Sequence, residues 1–174
     1  MSRVGLGFDV HAYSDDPGRP LVLGGVTFAG ERGLAGHSDA DVVAHAVADA
    51  LLGAAGLGDI GSHFPDTDPV WAGADSVGLL TTVAGDVRAA GWEPGNVDCA
   101  VVLDTPKLAP NRHSMQDRLS AAVGAAVTVK AKRTEGLGAL GRGEGVACWA
   151  VALVDPVGGV DRTDQATGSP TVAP

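Results

Sequence analysis

A chain of 174 residues with 45% hydrophobic content can bury the core of one domain, and with 4% aromatic residues and 26 glycines that core has to be built from Val, Leu and Ala. A formal net charge of −9 excludes the basic face that nucleic-acid binders need, and a phosphate ligand would require a bound cation or placed Lys and Arg to reverse the field locally. Two cysteines, Cys99 and Cys148, exclude a disulfide framework; with neither a charged leader nor an apolar run near the ~20 residues that span a bilayer, a soluble cytoplasmic protein without membrane or nucleic-acid partners is expected.

Val4 to Val10 alternates glycine with larger residues and reads as a strand, followed by the turn Ser14-Asp15-Asp16-Pro17-Gly18. Leu21 to Phe28 reads as a hairpin in which Gly24-Gly25 supplies the positive φ angles of a two-residue turn. Ser38 or Asp39 can cap a helix in which Val42, Val43, Ala46, Val47, Ala50, Leu51 and Ala54 recur at helical spacing until Gly56. A turn-rich loop from Gly58 to Pro69 precedes a second helix, Ser76 to Ala90, stopped by Gly91. Val97 to Leu103 reads as a buried strand, Asn111 to Gly124 as a third helix and Val127 to Ala131 as a further strand. The glycine-rich stretch Gly136 to Gly145 leads into a last strand, Val146 to Val154; from Pro156 to Pro174 the composition turns to Pro, Gly, Thr, Ser and Asp, which predicts a disordered tail. This is a mixed α/β or α+β order, and no GxGxxG follows a strand and opens a helix, so a dinucleotide fold is not indicated.

Asp9 and His11, two apart on a strand, project from one face about 7 Å apart along the chain and could grip one ion. His45 on the first helix would complete a three-donor site with an open fourth position, although Asp9 reads equally as a turn carboxylate and the histidines as ordinary half-buried rings. Asp41 and Asp49 each lie four residues from His45, where either could orient the imidazole or simply face solvent. His37-Ser38-Asp39 opens the helix, where free N–H groups favour an anion such as phosphate; a plain N-cap explains Ser38 and Asp39 but not His37. Glu135, after Thr134 at a strand end, suits a hard divalent cation, and Lys107, in the loop after a buried strand, suits a ligand's charge; a surface role explains each equally. Arg142 and Glu144 either pair or line a pocket.

The wording and order of the segments are more specific than any single residue. They are Gly7-Phe8-Asp9-Val10-His11, His37-Ser38-Asp39-Ala40-Asp41-Val42, Leu51-Leu52-Gly53-Ala54-Ala55, Gly58-Asp59-Ile60-Gly61, Phe64-Pro65-Asp66-Thr67-Asp68, Asn96-Val97-Asp98, Pro106-Lys107 and Gly141-Arg142-Gly143-Glu144-Gly145. Together they resemble the 2-C-methyl-D-erythritol 2,4-cyclodiphosphate synthase family from about Arg3 to Val154. The resemblance implies one synthase domain over residues 1–155, with a mixed β-sheet packed by helices. It also implies a homotrimer with its sheets around a three-fold axis and active sites at subunit junctions. The implied reaction converts 4-diphosphocytidyl-2-C-methyl-D-erythritol 2-phosphate into the cyclic diphosphate and CMP in the non-mevalonate isoprenoid pathway. Asp9, His11 and His45 would be zinc ligands and Glu135 would hold Mg²⁺ or Mn²⁺.

By the same resemblance, His37 and Thr134 are catalytic. Asp9, Val10 and His11 are substrate-binding, His37 and Ser38 meet the 2-phosphate and erythritol end, and Asp59, Ile60 and Gly61, with Phe64, Pro65, Asp66, Thr67 and Asp68, line the methylerythritol site. Leu103, Asp104, Thr105, Pro106, Lys107, Leu108 and Ala109, with Lys132, Arg133, Thr134 and Glu135, hold the cytidine and its diphosphate, and Arg142 completes the substrate-binding set. Two positions depart from the family pattern. Arg133 replaces a hydroxyl with a guanidinium that could hold phosphate bidentately or crowd it, and Ala139 replaces a common Phe beside the three-fold axis, leaving Arg142 for any central isoprenoid diphosphate. Two other readings fit the same residues: a mononuclear zinc hydrolase with Asp59 or Asp66 as base, and a non-catalytic trimeric nucleotide-binding module.

Overall fold

Small residues alternating with larger ones make Arg3–Ala12 the first strand, β1, and the alternation decides what can lie against it. A computed structural model describes residues 1–158; most of the sequence-predicted tail falls outside the described residues. β1 pairs antiparallel with the last strand, β6 (Gly145–Pro156), which pairs antiparallel with β4 (Trp92–Val102). β4 in turn pairs parallel with β5 (Ala126–Lys132), giving a mixed four-stranded sheet in the order β1-β6-β4-β5. The parallel step needs a crossover, which the helix Arg112–Val123 supplies between β4 and β5. β4 starts earlier than its apolar run suggests because Pro94 and Gly95 sit at a register shift between Pro94 and Asn96, where the ladder tolerates residues that otherwise break strands.

The hairpin of β2 (Leu21–Leu23) and β3 (Val26–Phe28) turns at Gly24 and Gly25, both at positive φ, as the dipeptide requires. The first helix, α1 (Val42–Ala55), ends at Gly56 in the left-handed conformation, but its cap is neither Ser38 nor Asp39. Asp41 caps it: one carboxylate oxygen accepts the Val43 and Ala44 N–H groups, and the two oxygens also take the N–H groups of Gly24 and Gly25. One fully buried carboxylate therefore closes the helix end and pins the hairpin turn to it. Burial, aided by the nearby Asp39 charge, raises the Asp41 pKa, and the backbone donors of Gly25, Gly24 and Ala44 offset only part of that rise.

The turn-rich loop contains a short helix, α2 (Ile60–His63), capped by Asp59, and a 3-10 turn at Pro69–Trp71 capped by Asp68. It leads to α3 (Ser76–Ala89), which Asp75 caps. The crossover helix Arg112–Val123, α4, and the short α5 (Gly138–Gly141) complete the elements. Helix α1 lies directly on β1. A Cβ at Gly5 or Gly7 would fall inside the van der Waals radius of the carbonyl oxygens of Ala50 and Ala46, so only glycine lets the helix backbone sit this close. The core between helices and sheet is the expected Val, Leu and Ala lattice, from Val42, Val47 and Leu51 to Val97, Val101 and Val154.

The opposite face of the sheet is open and apolar. Val4, Leu6, Phe8 and Val10 of β1 and Trp149 and Val151 of β6 are exposed side by side, and the Phe8 and Trp149 rings lie 4.7 Å apart. Among the described residues no helix is long and apolar enough to cross a membrane.

Candidate active site

The glycine seam between β1 and α1 decides where three side chains meet. Gly5 and Gly7 face the helix, so by the two-residue period of the strand Asp9 and His11 face it too, and His45 comes down from the first half of α1. Asp9 Oδ2 lies 3.0 Å from His11 Nε2 and 2.9 Å from His45 Nδ1, and the two ring nitrogens are 3.3 Å apart. Donors on a four-coordinate zinc with bonds of about 2.0–2.1 Å stand roughly 3.3 Å from one another, so this set of two imidazoles and one carboxylate fits such an ion. Among the described residues it is the one group of three such donors whose ligand atoms converge.

The shell around these donors turns each toward the others. His11 Nδ1 donates to the Ala35 carbonyl at 2.7 Å, which leaves Nε2 to face Asp9. The remaining Asp9 oxygen accepts the Val10 N–H at 2.9 Å, while the Val10 side chain points out to the open face of the sheet. His45 Nε2 lies 2.8 Å from Ser76 Oγ and 3.1 Å from Ser38 Oγ. Neither Asp41 nor Asp49 orients His45: Asp41 is committed to the helix cap, and Asp49 accepts the Ile60 N–H at 2.8 Å. The helix start offers no open anion site either, since Asp41 has taken the N–H groups of Val43 and Ala44.

Electrostatics follow the geometry. Burial alone would raise the Asp9 pKa, yet hydrogen bonds and charge from His11 and His45 hold the carboxyl well below the usual carboxylate range. Burial lowers the His11 pKa, but the Asp9 hydrogen bond and charge and the Ala35 carbonyl raise it above its ordinary value.

The three donors open into a cavity of about 450 Å³ lined by Gly36, His37, Ser38, Ile60, Gly61, Phe64, Pro65 and Asp66, with Trp71 and Leu79. His37 is held by a hydrogen bond from Nε2 to the Asp68 carbonyl at 3.0 Å. Ser38 turns its hydroxyl inward to His45 and Ser76. Asp59 caps α2 through Ser62, Asp68 caps the 3-10 turn through the Val70 N–H, and neither they nor Thr67 line the cavity wall. Gly36, Trp71, Leu79 and Ser76 carried no sequence signal beyond turn and helix spacing.

The residues expected at the nucleotide end form a second cluster, apart from this cavity. Leu103 and Leu108 are buried and anchor the loop that presents Lys107 to solvent. Asp104 ties the loop to the end of β5, accepting the Thr134 N–H at 3.1 Å and its hydroxyl at 2.5 Å, and Arg133 Nε lies 3.8 Å away. Those bonds, with the Arg133 charge, lower the Asp104 pKa. The Thr105 carbonyl accepts from Tyr13 Oη at 2.9 Å. Pro106, Ala109, Lys132 and Glu135 flank this cluster, while Arg142 pairs with Glu144 at 2.6 Å; none of these reaches the three-donor cavity.

Residues 2–155 match the YgbB family. The chain belongs to that family. It is 57% identical over 155 residues to 2-C-methyl-D-erythritol 2,4-cyclodiphosphate synthase of Bordetella petrii, covering 87% of this chain and 94% of that one. The synthase of Bacillus cereus is 52% identical over 157 residues, covering 88% and 98%. Among solved structures, the bifunctional IspDF of Campylobacter jejuni superposes with a TM-score of 0.85 at 41% identity, covering 90% of this chain and 42% of that one. A CDP-bound 2C-methyl-D-erythritol-2,4-cyclodiphosphate synthase superposes with a TM-score of 0.78 at 40% identity, covering 88% and 100%. This family member is therefore an enzyme of the cyclodiphosphate synthase type, with the mixed α+β fold of its solved relatives.

Proposed function

We propose that the chain converts 4-diphosphocytidyl-2-C-methyl-D-erythritol 2-phosphate into 2-C-methyl-D-erythritol 2,4-cyclodiphosphate and CMP in the cytoplasm, through a synthase domain spanning residues 1–155. The observation that carries this is the convergence of Asp9, His11 and His45 at the floor of a cavity large enough for the methylerythritol phosphate end. A zinc ion held by these three residues would polarise a phosphate oxygen, and a second ion, Mg²⁺ or Mn²⁺, held by Glu135 would neutralise the diphosphate.

In the reaction an oxygen of the 2-phosphate forms a bond to the β-phosphorus. The bond from that phosphorus to the bridging oxygen breaks, and its electron pair leaves on CMP. No external nucleophile is consumed, so the protein's work is positioning and charge neutralisation. His37, its ring oriented by the Asp68 carbonyl, contacts the 2-phosphate, and the wall from Ile60 to Asp66 packs on the methylerythritol. Lys107, Lys132 and Arg133 meet the nucleotide's charge, while Asp104 sets the Thr134 hydroxyl beside the diphosphate. Solved relatives bound to CDP support a cytidine nucleotide at that end.

The nucleotide cluster and the metal cavity lie apart on one chain, and the sheet exposes a continuous apolar face. Both features support a homotrimer with the sheets around a three-fold axis, in which the nucleotide loop of one subunit completes the cavity of its neighbour.

Zinc-loaded protein incubated with the substrate and Mg²⁺, followed by phosphorus NMR, is expected to yield CMP and the cyclic diphosphate together, and His45→Ala neither. CMP with a linear phosphate product would overturn the cyclisation.

A further inference from the structure

We infer that Asp39 and Ser76 form a positioning relay that selects the ring nitrogen of His45 presented to the metal. The inference rests on the zinc reading of the Asp9, His11 and His45 cluster.

The proton inventory of the hydroxyl carries it. Asp39, as a carboxylate, can only accept, and it receives the Ser76 hydroxyl together with the N–H groups of Ser76 at 3.2 Å and Asp41 at 3.1 Å. Ser76 has one hydroxyl proton, and it is committed to Asp39. Towards His45, 2.8 Å away, Ser76 Oγ can therefore only accept, which keeps a proton on Nε2; with a metal between the donors in place of the hydrogen bond from Nδ1 to Asp9 Oδ2, the Nδ1 lone pair is the one left to bind it. Ser38, 3.2 Å from Ser76 Oγ and 3.1 Å from His45 Nε2, is a second partner whose hydroxyl can turn either way and so selects nothing alone.

Ser76 is 1% exposed, so in the wild-type packing bulk water does not compete for its hydroxyl. The loop that brings α3 to this point is held independently, by the Asp39 N–H on the Ala74 carbonyl at 3.0 Å and the Gly73 N–H on the His37 carbonyl at 2.8 Å. The backbone N–H of residue 76 would satisfy Asp39 with any side chain there. The hydroxyl is needed only for what lies beyond it, which is His45. The arrangement extends the usual carboxylate–histidine–metal pattern by one hydroxyl, with the carboxylate acting through a serine contributed by another helix.

The test uses the full chain. Zinc affinity is measured by chelator competition, coordination by the visible spectrum of the Co²⁺ form, and folding by thermal unfolding of the metal-free protein. Ser76→Ala is expected to bind zinc about 10- to 100-fold more weakly, as loss of an outer-shell partner typically does, and to alter the Co²⁺ spectrum. Ser76→Thr is expected to restore both. Val83→Ala, buried on the same helix, is the control: it should lower thermal stability and leave zinc affinity unchanged. Nitrogen NMR of the zinc-loaded wild type is expected to show the proton of His45 on Nε2 and the metal on Nδ1, a readout that needs no variant. A proton on Nδ1, or Ser76→Ala binding zinc as tightly as wild type, overturns the relay. Wild type that binds no zinc overturns instead the metal reading beneath it.

Discussion

Asp9, His11 and His45 hold two rings and a carboxylate in mutual contact, and the pKa values of Asp9 and His11 move in opposite directions because each ion stabilises the other. In the metal-free protein this couples stability to pH with a definite sign. The His11 pKa is raised above 6.5, so its contribution is complete below pH 6.5 and is lost as pH rises through the raised value. The Asp9 pKa is lowered below 3.8, so its contribution is present above pH 3.8 and is lost as pH falls through the lowered value. The stability advantage of metal-free wild type over His11→Asn, read from urea unfolding midpoints, is expected to be largest between pH 3.8 and 6.5 and to shrink on the alkaline side. Zinc reverses the preference because it needs unprotonated His11. Its affinity, read by chelator competition, should rise about tenfold per pH unit while His11 remains protonated.

At the scale of elements, the contact of β1 with α1 is what converts sequence spacing into a site. Gly7→Ala would push the helix off the strand, costing about 1–3 kcal/mol as overpacking generally does, and would carry His45 away from Asp9. Lower urea stability together with weaker zinc binding is expected; a stable variant with wild-type affinity would show that the seam does not set the ligand geometry. The cap of α1 is a separate lock. Asp41→Ala strips partners from four backbone N–H groups across the helix end and the Gly24-Gly25 turn, and about 2–4 kcal/mol of stability should be lost in the same measurement.

For the molecule as a whole, the surface that remains open matters most. Leu6 is 67% exposed and Phe8 45%, beside Trp149 and Val151, on the sheet face opposite the helices. A charge in the middle of that face, Leu6→Asp, is expected to convert the proposed trimer to monomer in sedimentation analysis. The monomer should keep zinc affinity, because all three donors belong to one chain, and lose cyclisation, because the nucleotide cluster would no longer have a neighbour's cavity to complete. A monomer with full turnover would overturn the shared site.

Much of this was legible in the sequence because it depends on neighbours along the chain. Strand and helix periods, the Gly24-Gly25 turn, the helix stops at Gly56 and Gly91, and the shared face of Asp9 and His11 all follow from spacings of a few residues. That His45 would join Asp9 and His11 rested on the resemblance to the family, because spacing alone left an ordinary half-buried histidine as good a reading. What only the tertiary structure decided is which carboxylate does what. Asp41, placed beside His45 by helical spacing, is spent on its helix cap and on Gly24 and Gly25; Asp39, placed as a cap, instead reaches Ser76 on another helix, 37 residues away in sequence. A carboxylate's role is set by whichever donors the packed fold brings within about 3 Å, and over such separations the one-dimensional pattern carries no record of them.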